Sequence, residues 1–251
     1  MKNLDSIARV KGKNETTGEE IECISLDRFQ KLETSHRHFS HLMCLYPLHL
    51  INYDTEENKK LYQDTIYEIE RLGTGFWVGF SFAMCAQIYA MAEMGEGAYE
   101  KLRQFADGFV AENGFHLNGD FKNKGYSTFH YRPFTLESSF GFCDALQEML
   151  LQEHQGYIHL FPAIPQKWER VSFKNLRSYG GILVSAEKEG DKIKSFTLTS
   201  KTERIVCVYN NFGREVLYFS NGQKVICKTG EKFLLQLKGK TQLLGEHYER
   251  N

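Results

Sequence analysis

The feature that most constrains this sequence is a single change in its hydrophobic pattern near residue 156. Before that point, apolar residues recur at helical spacing, and after it they form short runs separated by turn residues. A chain of 251 residues can bury a core in each part. The pattern therefore predicts a polar, loop-rich lead-in over 1–35, a helical region over 36–165 and a C-terminal β domain over 166–251.

The helical region divides at glycine and proline. Beyond an apolar run that starts at His36, the spacing predicts helices over 54–71, 77–94, 98–112 and 137–154. The 77–94 helix is apolar nearly all round, so we expect it to be deeply packed. Consecutive helices joined by short glycine turns are typical of paired helices, as in a bundle or an α/α toroid.

The β domain is predicted from short apolar runs bounded by Asn, Gly and Ser. After a strand over 157–161, these runs lie at 181–186, 193–199, 205–209, 216–220, 225–228 and 233–237. None of the 4 prolines lies beyond residue 165, as expected for a sheet that needs its backbone donors. The pattern favours an antiparallel sheet or sandwich.

Charge and hydropathy exclude two classes of partner. The formal net charge is −1 and the chain has no basic stripe, so we expect no nucleic acid ligand. No run approaches the roughly 20 apolar residues of a membrane span, so we expect no membrane association.

The cysteines and the N-terminus bear on the compartment. The 6 cysteines form no CxxC motif, so we expect buried, reduced thiols rather than a zinc or redox site. The first residues contain no apolar signal segment. At face value both observations predict a cytoplasmic chain.

Three histidines and one arginine cluster at His36-Arg37-His38-Phe39-Ser40-His41. His38 and His41 stand three residues apart, which places both on one face of a helix. A metal would need a further His or a carboxylate, which the local sequence does not supply, so we predict no metal site. The Arg37 guanidinium is suited to a sugar hydroxyl or a carboxylate. The alternative is a polar cluster whose histidines are satisfied without a ligand.

The long loop over 113–136 ends in aromatic residues interleaved with Arg132, just before Glu137. Long loops inside compact domains are usually functional, and this composition is typical of a carbohydrate or small polar ligand site. At the start of a helix the dipole favours an ionised Glu137, which suits a base or a group that orients one. The alternative is an ordinary first-turn acidic residue beside Ser138 and Ser139 as caps.

The segment Gly73-Thr74-Gly75-Phe76-Trp77 precedes an apolar helix. A glycine pair at that position can bind an anion. The segment lacks a GxGxxG or GK[ST] motif and a preceding strand, so a nucleotide site is not predicted. We expect the glycines to let the chain approach an aromatic wall closely.

Four segments together carry a family resemblance. His36–Pro47 resembles the HRHLSHLxxLYP signature of glycoside hydrolase family 95, which contains α-L-fucosidases. Gly73–Trp77 is similar to the family's GTGWS segment, and Phe134–Gly141 to its QIDGNFG segment. Glu148–Pro165 closely resembles EMLLQSHxGxIHLLPALP. The four motifs occur in the family's order over about residues 35 to 185, and only the C-terminal part of the family is represented.

The resemblance implies a fold and an activity. The fold is a partial (α/α)₆ toroid with about half the barrel helices, followed by a C-terminal antiparallel β-sandwich domain. The activity is that of an inverting exo-glycosidase on terminal α-L-fucosyl or α-L-galactosyl groups of glycans, without metal or cofactor. The family's sugar-binding Arg and His correspond to Arg37 and His38, and Trp77 and Arg132 complete the expected substrate-binding set. The family Asp that supports the catalytic base corresponds to Glu137.

The departures from the family shape the prediction. Glu137 is one methylene longer than Asp, and Ser138-Ser139 replaces Gly-Asn. Family enzymes are much longer, and nothing in 1–35 matches the earlier part that holds their general acid and base. We therefore expect the C-terminal part of a secreted or periplasmic glycosidase, inactive alone. Its partners would be carbohydrate and either the missing N-terminal half or a second copy. The alternative is a non-catalytic carbohydrate-binding remnant or an incomplete gene product.

Overall fold

The structure is a computed structural model that describes residues 6–245. The chain divides after Glu148 into two compact units. The first unit holds a short hairpin and the helices, and the second is built of strands. This order confirms the predicted succession of a helical region and a C-terminal β domain.

An antiparallel hairpin stands where the sequence predicts a loop-rich lead-in over 1–35. Strand β1 (Arg9–Lys13) pairs with β2 (Glu20–Ile24) in the described part of this segment. The prediction was wrong here because β1 is polar and half-exposed, so it shows no alternation of apolar and polar residues. An isolated two-stranded hairpin is only marginally stable, and this one packs against a neighbouring helix through the buried residues of β2.

Helix α1 (Glu56–Arg71) begins at a capped residue and holds this hairpin. The Thr55 side chain accepts a hydrogen bond from the backbone of Asn58 at 3.2 Å. On β2, the backbone N–H of Glu22 donates to Asp64 Oδ2 at 2.9 Å, and that of Ile24 donates to Thr65 Oγ1 at 3.1 Å. Two buried polar side chains of α1 thereby satisfy the backbone of β2.

Three further helices complete the first unit and agree with the predicted positions to within a few residues. They are α2 (Gly79–Met91), α3 (Gly95–Phe109) and α4 (Glu137–Leu150). As expected from its composition, α2 is buried on nearly every side. The predicted extension of α4 to residue 154 is wrong, since β3 (Leu151–Gln152) follows it directly.

The segment around the histidine cluster is less regular than its apolar run suggests. A single 3₁₀ turn, Ser40–Cys44, replaces the expected helix, and a cis peptide bond joins Tyr46 to Pro47. Phe39 and Leu42 from this segment are buried in the core of the first unit. The segment is therefore fixed by packing although it is not an α-helix.

The second unit contains antiparallel strand pairs around one core. β3 pairs with β4 (His159–Leu160), and a four-stranded sheet has the order β12-β7-β6-β5. The remaining strands pair as β8 with β11 and β9 with β10. Their bounds are β5 Arg170–Ser178, β6 Ile182–Glu189, β7 Lys192–Thr199, β8 Arg204–Tyr209, β9 Val216–Tyr218, β10 Lys224–Ile226, β11 Lys232–Leu237 and β12 Lys240–Gln242.

Besides β3, two of these strands have no counterpart in the sequence prediction. β5 is the last strand in its sheet, and most of its side chains are exposed or half-exposed. β12 has only three residues at the opposite edge. Edge strands bury one face at most, so their sequences lack the apolar runs used to predict the central strands.

All 6 cysteines are free thiols, and their burial differs from the prediction at two positions. Cys23, Cys44, Cys85 and Cys227 are buried, as expected for small apolar side chains. Cys207 is half-buried. Cys143 on α4 is exposed, in contrast to the burial expected from the apolar residues in its segment.

Candidate functional site

A groove of about 540 Å³ lies in the helical unit beside the histidine cluster. Its walls come from the 3₁₀ segment, from α2 and from the first two turns of α4. The lining residues are His38, Phe39, Ser40, Met43, Tyr46, Pro47, Phe80, Met84, Gln87, Glu137, Phe140, Gly141 and Asp144. Its volume lies in the range of small-molecule sites.

The loop that carries Arg37 is tied to the start of α2 through its backbone. The buried Ser81 hydroxyl donates to the carbonyl oxygen of Arg37 at 2.8 Å and accepts from the Val78 N–H at 3.1 Å. The Phe76 N–H donates to Ser35 Oγ at 3.0 Å. Because these bonds fix the main chain, the side chains of Arg37 and His38 start from a defined position.

Arg37 and His38 form a hydrogen-bonded pair at the groove. Arg37 Nε donates to His38 Nε2 at 3.2 Å, and both side chains are exposed. Partial desolvation lowers the pKa of His38 although most of its ring is exposed, and the positive charges of Arg37 and His36 lower it further. With Nε2 accepting, the neutral ring carries its proton on Nδ1, which leaves one donor for a ligand.

Glu137 is the first residue of α4, as predicted, and its exposed side chain lines the same groove as His38. A buried histidine holds the backbone that leads into it. His116 Nδ1 lies 2.8 Å from Thr135 Oγ1, and its ring stacks on Phe105 at 5.0 Å with a 10° interplanar angle. Burial lowers the pKa of His116. A neutral, packed ring therefore positions the residues just before Glu137.

The structure brings His38 and Glu137 together in the groove, with Arg37 bound to His38, but it does not bring Trp77 there. Trp77 is only 1% exposed and packs in the core, with ring centroids 5.3 Å from Phe39 and 5.1 Å from Phe82. Trp77 therefore does not line this groove, and its expected role in substrate binding stays a prediction. Its place beside the glycine pair reflects core packing.

Arg132 also lies outside the residues that line the groove. Its side chain is exposed, and its guanidinium carbon lies 5.5 Å from the centroid of the Phe121 ring.

The glycine segment before α2 is hydrogen-bonded to the long loop and does not line the groove. The carbonyl oxygen of Gly75 accepts from the Thr128 N–H at 2.8 Å and from the Thr128 hydroxyl at 2.7 Å.

Sequence reasoning missed three polar residues of the groove: Tyr46, Gln87 and Asp144. Gln87 Nε2 donates to Asp144 Oδ2 at 2.7 Å, and the Tyr46 hydroxyl donates to the same oxygen. Asp144 follows Glu137 by seven residues, so helical spacing alone could have placed both on one face of α4. Tyr46 and Gln87 give no comparable signal, because only the tertiary fold brings them to that carboxylate.

Two further findings concern the residues from 6 to 245. They contain no group of three or more His, Cys, Asp or Glu side chains placed to hold a metal ion. They also contain no helix long and apolar enough to cross a membrane.

Comparison with known proteins gives matches along most of the chain. Residues 20–150 match the family model of the glycosyl hydrolase family 95 catalytic domain. Residues 152–247 match the model of the glycoside hydrolase family 95 C-terminal domain. The two matched segments correspond to the helical unit and the β unit, which confirms the predicted fold class.

Two curated relatives are similar over part of their length. Alpha-L-fucosidase 2 of Arabidopsis thaliana is 29% identical over 175 residues, which cover 69% of this chain and 20% of the relative. Probable alpha-fucosidase A of Aspergillus niger is 27% identical over 165 residues, which cover 60% of this chain and 20% of the relative. The matched part thus spans about a fifth of each relative. Since the catalytic-domain model alone covers more than half of the sequence, this chain belongs to glycoside hydrolase family 95.

Proposed function

We propose that this chain supplies the sugar-binding part of a glycosidase site for terminal α-L-fucosyl groups of glycans, with α-L-galactosyl groups as the alternative substrate. The observation that carries the proposal is that His38 and Glu137 line one groove, although 99 residues separate them in the sequence. The Arg37–His38 pair offers two kinds of donor and Glu137 offers an acceptor.

The walls of the groove support a deoxysugar ligand. Met43, Phe80, Met84 and Phe140 present apolar surface beside the polar groups. A 6-deoxy sugar carries a methyl group and one apolar ring face together with its hydroxyls. Apolar walls with a few convergent polar groups are the usual way in which proteins bind such ligands.

We further propose that the chain binds such a sugar but does not cleave it. Inverting glycosidases need an acid on one side of the glycosidic bond and a base that activates water on the other. Glu137 corresponds to the residue that supports the base, and no residue of this chain is assigned as the acid. The names of both relatives refer to α-fucosidases about five times longer than the matched part, which supports the substrate class and a division of labour.

Calorimetric titration of the purified chain with L-fucose tests the binding proposal. We expect saturable binding that weakens about tenfold in Arg37→Ala and in Glu137→Gln, which corresponds to the loss of one charged hydrogen bond. Arg103→Ala is a matched control, since Arg103 is an exposed side chain of α3 that pairs with Glu100. Equal affinity in all three variants would contradict the proposed site.

A second measurement tests the division between binding and cleavage. The chain is incubated with 4-nitrophenyl α-L-fucoside, and released nitrophenolate is followed by absorbance. We expect no release above the buffer rate. Turnover that disappears in Glu137→Gln would show that this chain is a complete catalyst and would overturn the second half of the proposal.

A further inference from the structure

The β unit holds a second cavity, of about 300 Å³, whose lining residues all belong to that unit. Its walls come from the segment after β3, the turn that joins β5 to β6, and the start of β8. None of these residues lines the groove of the helical unit. A volume at the lower end of the range for small-molecule sites suits a ligand the size of one sugar ring.

Two large apolar side chains are exposed at this cavity. Tyr179, in the turn between β5 and β6, is 73% accessible, and Ile205 on β8 is 67% accessible. A tyrosine ring offers a flat apolar face with a polar hydroxyl at its edge. Such a surface is suited to the C–H face of a pyranose.

The backbone that carries Tyr179 is fixed by Glu153. The Tyr179 N–H donates to Oε1 of Glu153 at 2.6 Å, and the Ser178 hydroxyl donates to Oε2. Because the carboxylate holds two consecutive residues, the Tyr179 ring extends from a main chain that is already ordered. Binding to a pre-organised surface costs less conformational entropy than binding to a mobile one.

Arg204 begins β8 and brings hydrogen-bond donors to the same cavity. Its guanidinium lies against the bare backbone of Gly180, since a Cβ at that position would lie 3.2 Å from Cζ and nearer still to Nη1. In the described part of the chain, Nη2 donates to Thr202 Oγ1 at 2.7 Å, whereas the buried Nε has no hydrogen-bond partner. A guanidinium carries five N–H donors, so Arg204 retains donors for a ligand.

The charges at the cavity favour a neutral ligand. Glu153 and Arg204 both line it, so an anion would meet the carboxylate and a cation would meet the guanidinium. A sugar hydroxyl both donates and accepts, and a carboxylate can accept more than two hydrogen bonds. The hydroxyls of a neutral sugar can therefore use both side chains.

From these observations we propose that the cavity of the β unit is a second sugar site. It binds one neutral pyranose of the glucosyl or galactosyl type, whose apolar face lies on Tyr179. The hydroxyls of this sugar accept from Arg204 and donate to Glu153. The site lies wholly within the β unit, so the inference does not depend on the groove or on the function proposed for it.

The test follows backbone amide signals of the isotope-labelled chain by NMR. Val206 and Cys207 line the cavity and Gly141 lines the groove, so their signals report on the two sites separately. The probes are methyl β-D-glucopyranoside and methyl β-D-galactopyranoside, with L-fucose as the probe of the groove. We expect at least one glycoside to shift the Val206 and Cys207 signals saturably. Tyr179→Ala should weaken this binding about tenfold, whereas Phe29→Ala, which removes an exposed ring of the helical unit, should leave it unchanged.

A pair of glycine variants separates an effect on Arg204 from backbone strain. Gly180 and Gly181 have φ values of 67° and 77°, so alanine strains the backbone at either position. The new methyl meets Arg204 only at position 180, because nothing lies within 4 Å of a Cβ at position 181. We expect Gly180→Ala to weaken glycoside binding about tenfold and Gly181→Ala by no more than about twofold.

The outcomes that contradict the inference are distinct from those that concern the groove. Equal weakening in the two alanine variants, or unchanged binding in Tyr179→Ala, overturns the inference. It is also wrong if neither glycoside shifts the Val206 and Cys207 signals. If Gly180→Ala does not fold, Tyr179→Ala decides alone, since loss of an exposed ring should leave the thermal unfolding midpoint nearly unchanged. L-fucose that fails to shift the Gly141 signal would contradict the proposed function only.

Discussion

Replacing Gly79 by alanine would force a methyl group into the ring that holds the approach to Glu137. A Cβ at position 79 would lie 2.7 Å from Cδ2 and 2.9 Å from Cε1 of His116, and nearer still to Nε2. The ring has little room to move, because it stacks on Phe105 at 5.0 Å and is hydrogen-bonded to Thr135. The clash therefore has to displace either α2 or the ring.

The expected magnitude follows from three contributions. Overpacking a core site costs about 1–3 kcal/mol, and loss of the His116–Thr135 hydrogen bond adds about 1 kcal/mol. Alanine regains up to ~1 kcal/mol over glycine at the start of α2. We therefore expect Gly79→Ala to lower the free energy of unfolding of the helical unit by about 2 kcal/mol. L-fucose binding should weaken as well, since Thr135 is displaced just before Glu137.

The assay is urea unfolding followed by tryptophan fluorescence in a Trp168→Phe background. The sequence has 2 tryptophans, so Trp77 then reports on the helical unit alone. His116→Ala provides the partner for a double-mutant cycle, because it removes the group that the new methyl would meet. We expect the double variant to be about 3 kcal/mol more stable than the sum of the single effects, because both the clash and the loss of the hydrogen bond disappear when His116 is absent. Additive effects, or a Gly79→Ala chain more stable than the original, would refute the reasoning.

Three further predictions concern other parts of the chain. Burial lowers the pKa of His159 to about 4, below the value near 6.5 expected in the unfolded chain. Protonation of His159 therefore favours the unfolded chain. The free energy of unfolding should fall by up to ~3 kcal/mol as the pH drops from about 6.5 to 4. In His159→Phe, urea unfolding at stepped pH should show a weaker dependence. Asn210→Ala should cost about 3 kcal/mol by urea titration, because the buried amide donates to Cys227 O at 2.6 Å and to Arg214 O at 3.1 Å and accepts from the Phe212 N–H at 3.2 Å. Unchanged stability would show that water replaces these bonds. Trp77→Ala should cost about 3–5 kcal/mol, and a thermal midpoint equal to that of the unaltered chain would contradict its place in the core.

Much of the fold was predictable because its central elements repeat apolar residues at a fixed period. In α1, Leu61, Ile66 and Ile69 are buried at the spacing that predicted the helix. The polar strand β1 and the edge strand β5 were missed, because tertiary neighbours rather than their own apolar faces stabilise them.

In the candidate site too, some residues could be proposed from local sequence motifs, whereas others depend on tertiary contacts. Arg37, His38 and Glu137 could be proposed from the sequence because they belong to recognisable motifs, and the structure places His38 and Glu137 in one groove. The burial of Trp77 in the core could not be foreseen, because a motif gives residue identity but not burial. Gln87 lies on an otherwise apolar helix, where a single amide gives no sequence signal for a site. Only the tertiary fold brings its side chain into hydrogen-bond contact with Asp144.

The hydrogen bond between Ser81 and Arg37 fixes the backbone beside the groove independently of the side chain at position 37. Ser81 bonds to the backbone carbonyl of residue 37, so the bond would form whatever side chain stood there. Under the proposed function, substitution at position 37 would therefore alter sugar recognition without moving the loop. Ser81 itself cannot be replaced as freely, because its hydroxyl also accepts a hydrogen bond from the Val78 N–H. Homologues with different sugar preferences could thus diverge at position 37 while they keep a hydroxyl residue at position 81.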